Sequence, residues 1–362
     1  MTIGPHGRGG SPYPAVTCPD DPDGMTATDP VATLPIPDQP TVRTALRLAG
    51  RAPSIHNTQP WRWVFDGRRL HLYADPDRVL PAADPRGRQQ LISCGAVLHH
   101  ARTAFALAGW HTDTERLPDP HRPDHLADID FRPWPDPPAG VPRRARAIGE
   151  RYSDRLPMLP PPDFDATARA LRGLAGPHHV ESDVLPEEAR ARLAEISEQA
   201  AEAHRDDLFY QRELNWWTGH SDVVEGVPEA ALVSAEEASR TGVARAFPAA
   251  AHSARRSELT DAARLVVLSC ASEGHAEWLR TGEALSAVLL ECAASGLSTC
   301  ALTHLTEPGI GRRMIAAMLP HPAQPEVVIR IGIAPDDTRP IPTPRRPLDD
   351  YLEIRTMPTG TP

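Results

Sequence analysis

The residues best equipped for chemistry fall in four short stretches. One is Arg151-Tyr152-Ser153-Asp154-Arg155. In an extended segment the alternate positions Arg151, Ser153 and Arg155 project from one side, bringing two guanidiniums and a hydroxyl together. The planar guanidinium fork matches phosphate oxygens, so the trio suits a phosphate cradle, although a solvated charge run has the same pattern. A second stretch, Pro53-Ser54-Ile55-His56-Asn57-Thr58-Gln59-Pro60, sets small hydrogen-bonding residues between two prolines and runs into Trp61-Arg62-Trp63-Val64-Phe65. Proline fixes φ and removes a donor, which stiffens this loop and limits how its polar groups point. The third is Gly296-Leu297-Ser298-Thr299-Cys300-Ala301-Leu302-Thr303-His304, whose small and hydroxylated residues let the backbone approach a flat ligand closely. The fourth, Pro344-Arg345-Arg346-Pro347-Leu348-Asp349-Asp350, reads by itself as a basic tail as readily as part of a site.

Other chemistries find less support. The chain has 16 histidines, but His99-His100 lie within a predicted helix and His178-His179 follow a Gly-Pro turn. Neither pair belongs to H-E-x-x-H or a similar ligand set, so no metal site is expected. No G-x-S-x-G elbow marks a serine hydrolase, and no G-x-G-x-x-G follows a strand to mark a Rossmann nicotinamide site. His56 could shuttle a proton beside its loop, or could face solvent or pack on Trp61. The cysteines, Cys18, Cys94, Cys270, Cys292 and Cys300, are odd in number and contain no C-x-x-C pair. They suit a reduced, cytoplasmic protein without structural disulfides or zinc.

The elements that must hold these stretches can be read from periodicity. Residues 1–40 are rich in Pro, Gly and Asp and are expected to form a disordered arm. A short helix from about Thr41 would bury Val42, Ala45, Leu46 and Ala49 ahead of the Pro53–Pro60 loop. Strands at Trp61–Phe65 and Leu70–Tyr73 are joined by an Asp66-Gly67 turn. A helix from about Gln89 to Leu107 stops at Gly109, and a strand at Leu126–Phe131 follows a Pro-rich connection. The second half reads alike, with a strand at Ala263–Ser269, a helix at Gly282–Ser295 stopped by Gly296, and a strand at Val327–Ala334. The spacing from Gly95 to Gly109 equals that from Gly282 to Gly296, 14 residues in each case. With the matched order of elements, this predicts an internal duplication. Arg205–Ser257 fits neither repeat and reads as an insertion or lid, or as an ordinary surface excursion. The expected divisions are an arm at 1–40, halves at 41–140 and 141–355 with the insertion at about 205–257, and a tail at 356–362.

At 362 residues the chain has room for one large domain or two ordinary ones. Its net charge of −10 and pI near 5.9 argue against nucleic acid or an anionic membrane as the main partner. No apolar run approaches the roughly 18 residues of a membrane helix, and no charged-then-apolar leader opens the sequence.

Taken together, Arg-x-Ser-x-Arg, Pro-Ser-x-x-Asn-x-Gln-Pro-Trp, Gly-Glu-Ala-Leu with a later Gly-Leu-Ser-Thr, and a closing Arg-Arg-Pro-Leu-Asp-Asp resemble the flavin-binding nitroreductase family over roughly residues 41–355. Arg-x-Ser-x-Arg occurs only in the C-terminal half and Pro-Ser-x-x-Asn only in the N-terminal half, which is most similar to the tandem, Acg-type subgroup. The resemblance implies an α+β tandem nitroreductase fold: a fused pseudo-dimer, or a weak homodimer of such chains, with one FMN site between the halves. It implies Arg151 and Ser153 on the FMN phosphate and ribityl chain, Arg345 closing over the phosphate, and Arg346 helping. Arg155 would lie near N1 and O2 of the ring, where a cation favours the reduced flavin. Pro53, Ser54 and Ile55 would line the ring, Asn57 would bond its polar edge, and Thr303 and His304 would lie near N5.

Two departures from the family pattern stand out. Many relatives carry a serine at the position of Ile55, and the first half lacks its own Arg-x-Ser-x-Arg, so a symmetry-related second site is expected to be dead. The implied activity is hydride transfer from NAD(P)H through FMN to a small electron acceptor such as a nitroaromatic, quinone or enone, with no dedicated catalytic acid. The rival is a flavin-sequestering protein whose lid closes over the cofactor with negligible turnover.

Overall fold

The computed structural model describes residues 35–219, 225–248, 253–335 and 343–355. Most of the expected arm at 1–40, Cys18 and the expected tail at 356–362 lie outside them. The first described helix, α1 (Gln39–Ala49), begins two residues ahead of Thr41 because Asp38 caps it: its carboxylate accepts the Thr41 N–H at 2.9 Å, and Pro40 occupies the first turn. Its buried stripe is Val42, Ala45, Leu46 and Ala49. The hairpin of β1 (Trp61–Phe65) and β2 (Leu70–Ala74) follows. Asp66 pins its turn by accepting the N–H groups of Arg68 and Arg69, and Gly67 supplies a φ of 92°.

The centre of the fold is a pair of helices, α2 (Arg88–Leu107) and, far along the chain, a second of the same length. Between them run β3 (Trp110–Arg116), β4 (His125–Pro133), α3 (Gly140–Ala147), α4 (Phe164–Ala175), β5 (Glu181–Val184) and α5 (Ala189–Ala203). The stretch 205–257 contributes α6 (Leu208–Trp216) and α7 (Ala235–Thr241) before β6 (Arg264–Cys270). The second central helix, α8 (His275–Ala294), leads to β7 (Ser298–Leu302), α9 (Gly309–Ala316), β8 (Gln324–Gly332) and β9 (Leu352–Ile354). Both α2 and α8 have 20 residues, with Gly95 and Gly282 each at the eighth position. A β-carbon on Gly95 would overlap the Leu279 carbonyl oxygen, and one on Gly282 would overlap that of Ile92. The two backbones therefore touch where these glycines cross, an approach that any side chain would block. Gly282 thus sits inside α8, not at its start, and the helix begins seven residues earlier than its periodicity suggested.

Each central helix is followed by a glycine in the left-handed region, Gly109 with φ 83° and Gly296 with φ 75°. Two sheets flank the pair. One has the order β3-β4-β2-β1-β9 and the other β5-β6-β8-β7, so the α+β class holds. Leu70, Leu72, Leu126, Ile129 and both tryptophans of β1 are fully buried in the same core as Val266, Leu268, Ile329 and Ile331 from the second sheet. The expected division at residues 140 and 141 is crossed by the sheet pairing as well as by the two central helices. β9, from the end of the chain, pairs in parallel with β1, and the Trp63 N–H donates to the Tyr351 carbonyl at 2.6 Å. Only three residues long, this strand has too little alternation to be seen in sequence.

Candidate functional site

The loop after α1 is held in an uncommon conformation. His56, Asn57 and Gln59 have φ of 47°, 56° and 51°, a left-handed region costly for residues with a β-carbon. Its surroundings over-determine it. Ser54 Oγ accepts the Gln59 N–H at 3.0 Å, and the Ile55 N–H donates to Ser93 Oγ on α2 at 3.1 Å. Asn57 Nδ2 donates to the carbonyls of Gly226 at 2.9 Å and Pro344 at 3.0 Å, tying the loop to the 205–257 stretch and to the chain before Arg345.

The Arg151–Arg155 stretch is extended, as its alternation requires. Ser153 bridges in parallel to Thr299, beside β7, and the Asp154 N–H donates to the Thr299 carbonyl at 2.8 Å. Asp154 turns away to pair with Arg256 at 3.0 Å, while Arg151, Ser153 and Arg155 face a cavity of about 490 Å³. That volume lies within the range of small-molecule sites. Pro53, Ser54, Ile55 and Asn57 line it from one side. Thr303 and His304, just after β7, line it from another, and Arg345 closes one end. Arg346 does not line it. Its guanidinium instead donates to the Gln59 carbonyl at 3.0 Å and the Asp350 carbonyl at 2.8 Å and lies 3.4 Å from Asp75. Arg346 was expected to help at a phosphate; among the described residues it staples the loop to the segment leading into β9 and stands apart from the cavity lining. Asn57 is spent in a similar way, its amide nitrogen on two carbonyls.

The end of the cavity near Arg345 is electrostatically unusual. Arg151 and Arg345 both donate through Nη2 to the carbonyl of Arg51 at 3.2 Å, and Arg51 itself lines the cavity. The Nε atoms of Arg151 and Arg345 are buried with no hydrogen-bond partner. Burial, then the Arg51 charge, pushes the Arg151 pKa down to about 10; burial, then Arg151 and Arg51, takes Arg345 down to about 9. Three cations thus converge with two unpaired buried donors, an arrangement that a phosphate dianion would satisfy. Arg155 has a different setting: its guanidinium stacks 5.4 Å over the Phe247 ring, and burial lowers its pKa.

The 205–257 stretch builds one wall through Val227, Val233, Arg245 and Phe247. Beneath it Tyr210, Leu214 and Trp217 cluster with Leu80 and Ala83, and Ile55 and Phe247 pack against that group. The Ile55 side chain therefore packs among apolar residues that include members of the 205–257 stretch. Arg245 pairs with Glu307 and donates to the Tyr210 hydroxyl at 2.9 Å. His56 is buried, edge-on to Phe247 at 5.8 Å, and not solvent-facing or packed on Trp61; its Nε2 has no partner. Burial, then Arg245 and Arg155, holds its pKa well below 6.5, so the ring is neutral. His304 is likewise neutral through burial and Arg245, with Nε2 3.0 Å from Ser197 Oγ. Sequence reasoning missed Arg51, Gln89, Arg245 and Phe247. Arg51 stands two residues before Pro53 and offered a signal, whereas Arg245 and Phe247 belong to no motif.

No family model matches the chain. It is 43% identical over 336 residues to a Mycobacterium tuberculosis protein provisionally named NAD(P)H nitroreductase acg, spanning 92% of this chain and 98% of that one. Rv3127 of the same organism is 42% identical over 323 residues, 88% of this chain and 94% of its own. Rv3131, also provisionally named an NAD(P)H nitroreductase, is 37% identical over 324 residues, 88% and 92% respectively. Among solved structures, the FMN-dependent nitroreductase NfnB of Mycobacterium smegmatis, in complex with NADPH, aligns with 57% of this chain and 96% of its own. Its identity is 20% and its TM-score 0.35, too low to carry weight beside the sequence relatives.

Proposed function

The chain belongs to the nitroreductase family that contains these acg relatives, and from that premise we propose that it is an FMN-dependent NAD(P)H oxidoreductase acting on a small electrophile in the cytoplasm. The observation that carries this is the convergence of Arg51, Arg151 and Arg345 with two buried Nε donors lacking a partner. The chemistry FMN supplies when bound is hydride transfer between a nicotinamide and an acceptor such as a nitroaromatic, quinone or enone. Arg151 and Arg345 would hold its phosphate, with Ser153 on the ribityl chain. Arg155, a buried cation fixed on Phe247, would offset negative charge gathering on the ring. The neutral rings of His56 and His304 can hydrogen-bond but add no charge. The matched helices α2 and α8, crossing at equivalent glycines, support a tandem pseudo-dimer in one chain.

One observation favours a second reading, a flavin-sequestering protein with little turnover. The 205–257 stretch walls the cavity and is tied to the loop through Asn57 and Gly226. The test is to purify the protein, identify its flavin, and follow bleaching anaerobically with NADH and with NADPH. Rapid bleaching by either donor supports the reductase. Bleaching by dithionite alone supports sequestration, and failure to bind FMN on reconstitution overturns both.

A further inference from the structure

Outside the cavity, the five-stranded sheet carries a compact group of histidines and carboxylates. β2 and β4 pair so that His71 faces Asp128 and Tyr73 faces His125, with a register shift between Leu72 and Tyr73. In a regular strand, residues three apart point to opposite faces; the shift lets His125 and Asp128 share one face with His71. Asp128 Oδ1 lies 2.6 Å from His71 Nδ1 and 2.6 Å from His125 Nε2. All three donor atoms fall within 4.8 Å of one another. The other ring nitrogen of His71, Nε2, is 3.2 Å from Asp66 Oδ2.

An imidazole that donates Nε2–H to Asp66 carries its Nδ1 lone pair on the side of Asp128 and His125. A zinc ion, with bonds of about 2.0–2.2 Å, would sit to one side of the line between Nδ1 and Asp128 Oδ1 and spread these two atoms apart from 2.6 Å. A carboxylate on the far nitrogen of a histidine is also the usual outer support of a metal ligand. Other contacts hold the group in shape. The Tyr73 ring stacks on His125 at 4.5 Å. Arg69 lies 3.8 Å from Asp128 Oδ2, but its fork is committed to Asp130 at 2.8 and 2.6 Å, leaving Oδ1 toward the histidines.

We propose that His71 Nδ1, His125 Nε2 and Asp128 Oδ1 bind a divalent transition cation of the zinc class. Two imidazoles and one carboxylate are the donor set such ions take, and Asp66 with Asp128 supplies the balancing charge. Three protein ligands leave a coordination position for water or an outside ligand. No member of the group lines the cavity, so the site stands or falls apart from the flavin reading.

The test uses the full chain dialysed against a chelator and titrated with Zn²⁺ by calorimetry, with metal content measured independently. One equivalent is expected. His71→Ala and His125→Ala should each weaken binding at least tenfold, and Asp66→Asn roughly tenfold to a hundredfold. His321→Ala, removing a histidine that lies 3.0 Å from Asp183 alone, should leave the stoichiometry unchanged. Far-UV circular dichroism checks that each variant is folded. If wild-type protein takes up no zinc, or both histidine variants bind it as wild type does, the site is overturned and the group is a hydrogen-bond network only.

Discussion

Replacing Arg151 with methionine should have opposite effects on the flavin-free and flavin-bound protein. Arg151 is 7% exposed, and its guanidinium donates to the Arg51 carbonyl at 3.2 Å while Nε has no partner. Its pKa falls to about 10 through burial and the Arg51 charge. A folded-state pKa below the unfolded value means that the folded chain disfavours the charged form. The penalty is complete at any pH below about 10 and disappears only as the pH rises through the ordinary arginine range. At about 1.4 kcal/mol per factor of ten in the ionisation constant, it amounts to about 3 kcal/mol at pH 7. Methionine removes it and forfeits one charged hydrogen bond worth about 1.5–2 kcal/mol, so the flavin-free variant should gain about 1–2 kcal/mol. The same change strips a charge-assisted partner from a buried phosphate. A loss of about 2–5 kcal/mol there raises the FMN dissociation constant roughly thirtyfold to several thousandfold. Urea unfolding of the flavin-free proteins and quenching of FMN fluorescence measure the two effects. A variant that is less stable without flavin and binds FMN as tightly as wild type would refute the assignment of this arginine cluster.

Gly95→Ala should cost about 2–3 kcal/mol, because its β-carbon would overlap the Leu279 carbonyl oxygen and lie 2.9 Å from Gly282 Cα. Thermal unfolding reads the cost directly, and an unchanged transition would mean that the helices do not meet there. Acid should destabilise the flavin-free protein below pH 6.5. Burial holds His56, His100 and His304 well below that value and His99 near 3, while the unfolded chain takes up protons at each. Stability from these groups is therefore complete above pH 6.5 and falls with pH, by up to about 1.4 kcal/mol per pH unit for each histidine. Denaturant unfolding at pH 7.5, 6.5 and 5.5 tests this, and a flat profile would show that the rings are accessible to protons.

Legibility in the sequence followed how local each signal was. The α1 stripe, the β1–β2 hairpin and the stop at Gly109 depend on neighbours in sequence, and they lie where periodicity and turn chemistry put them. The alternation of Arg151, Ser153 and Arg155 was also local, and the three do share one cavity. What escaped was set by distant pairing. Arg346 and Arg345 are adjacent and chemically identical, yet only contacts with Gln59, Asp75 and Asp350 decide that one is structural while the other faces the cavity. β3 is polar along most of its length, and its strand character comes from the seven-residue ladder with β4. Phe247 and Arg245 sit in a stretch with no repeat to anchor it, and packing on Ile55, Tyr210 and Glu307 gives them their places.

The surroundings of the two central helices hold buried arginines in two different ways. Ala96 and Glu283 stand one residue after the crossing glycines, in equivalent places on α2 and α8. Glu283 is fully buried, with Arg102 Nη1 at 2.9 Å and Arg116 Nε at 2.6 Å, and it does not line the cavity. Burial pushes its pKa up, but His178, Arg116 and Arg102 together outweigh that and hold it well below the carboxylate range. Around Glu283, then, the arginines find their anion inside the protein. Around Arg51, Arg151 and Arg345 they do not, and two buried Nε donors stay unmet. Buried charge is tolerated only when paired, so a chain that neutralises one cluster internally and leaves the other open has marked the open one for an external anion.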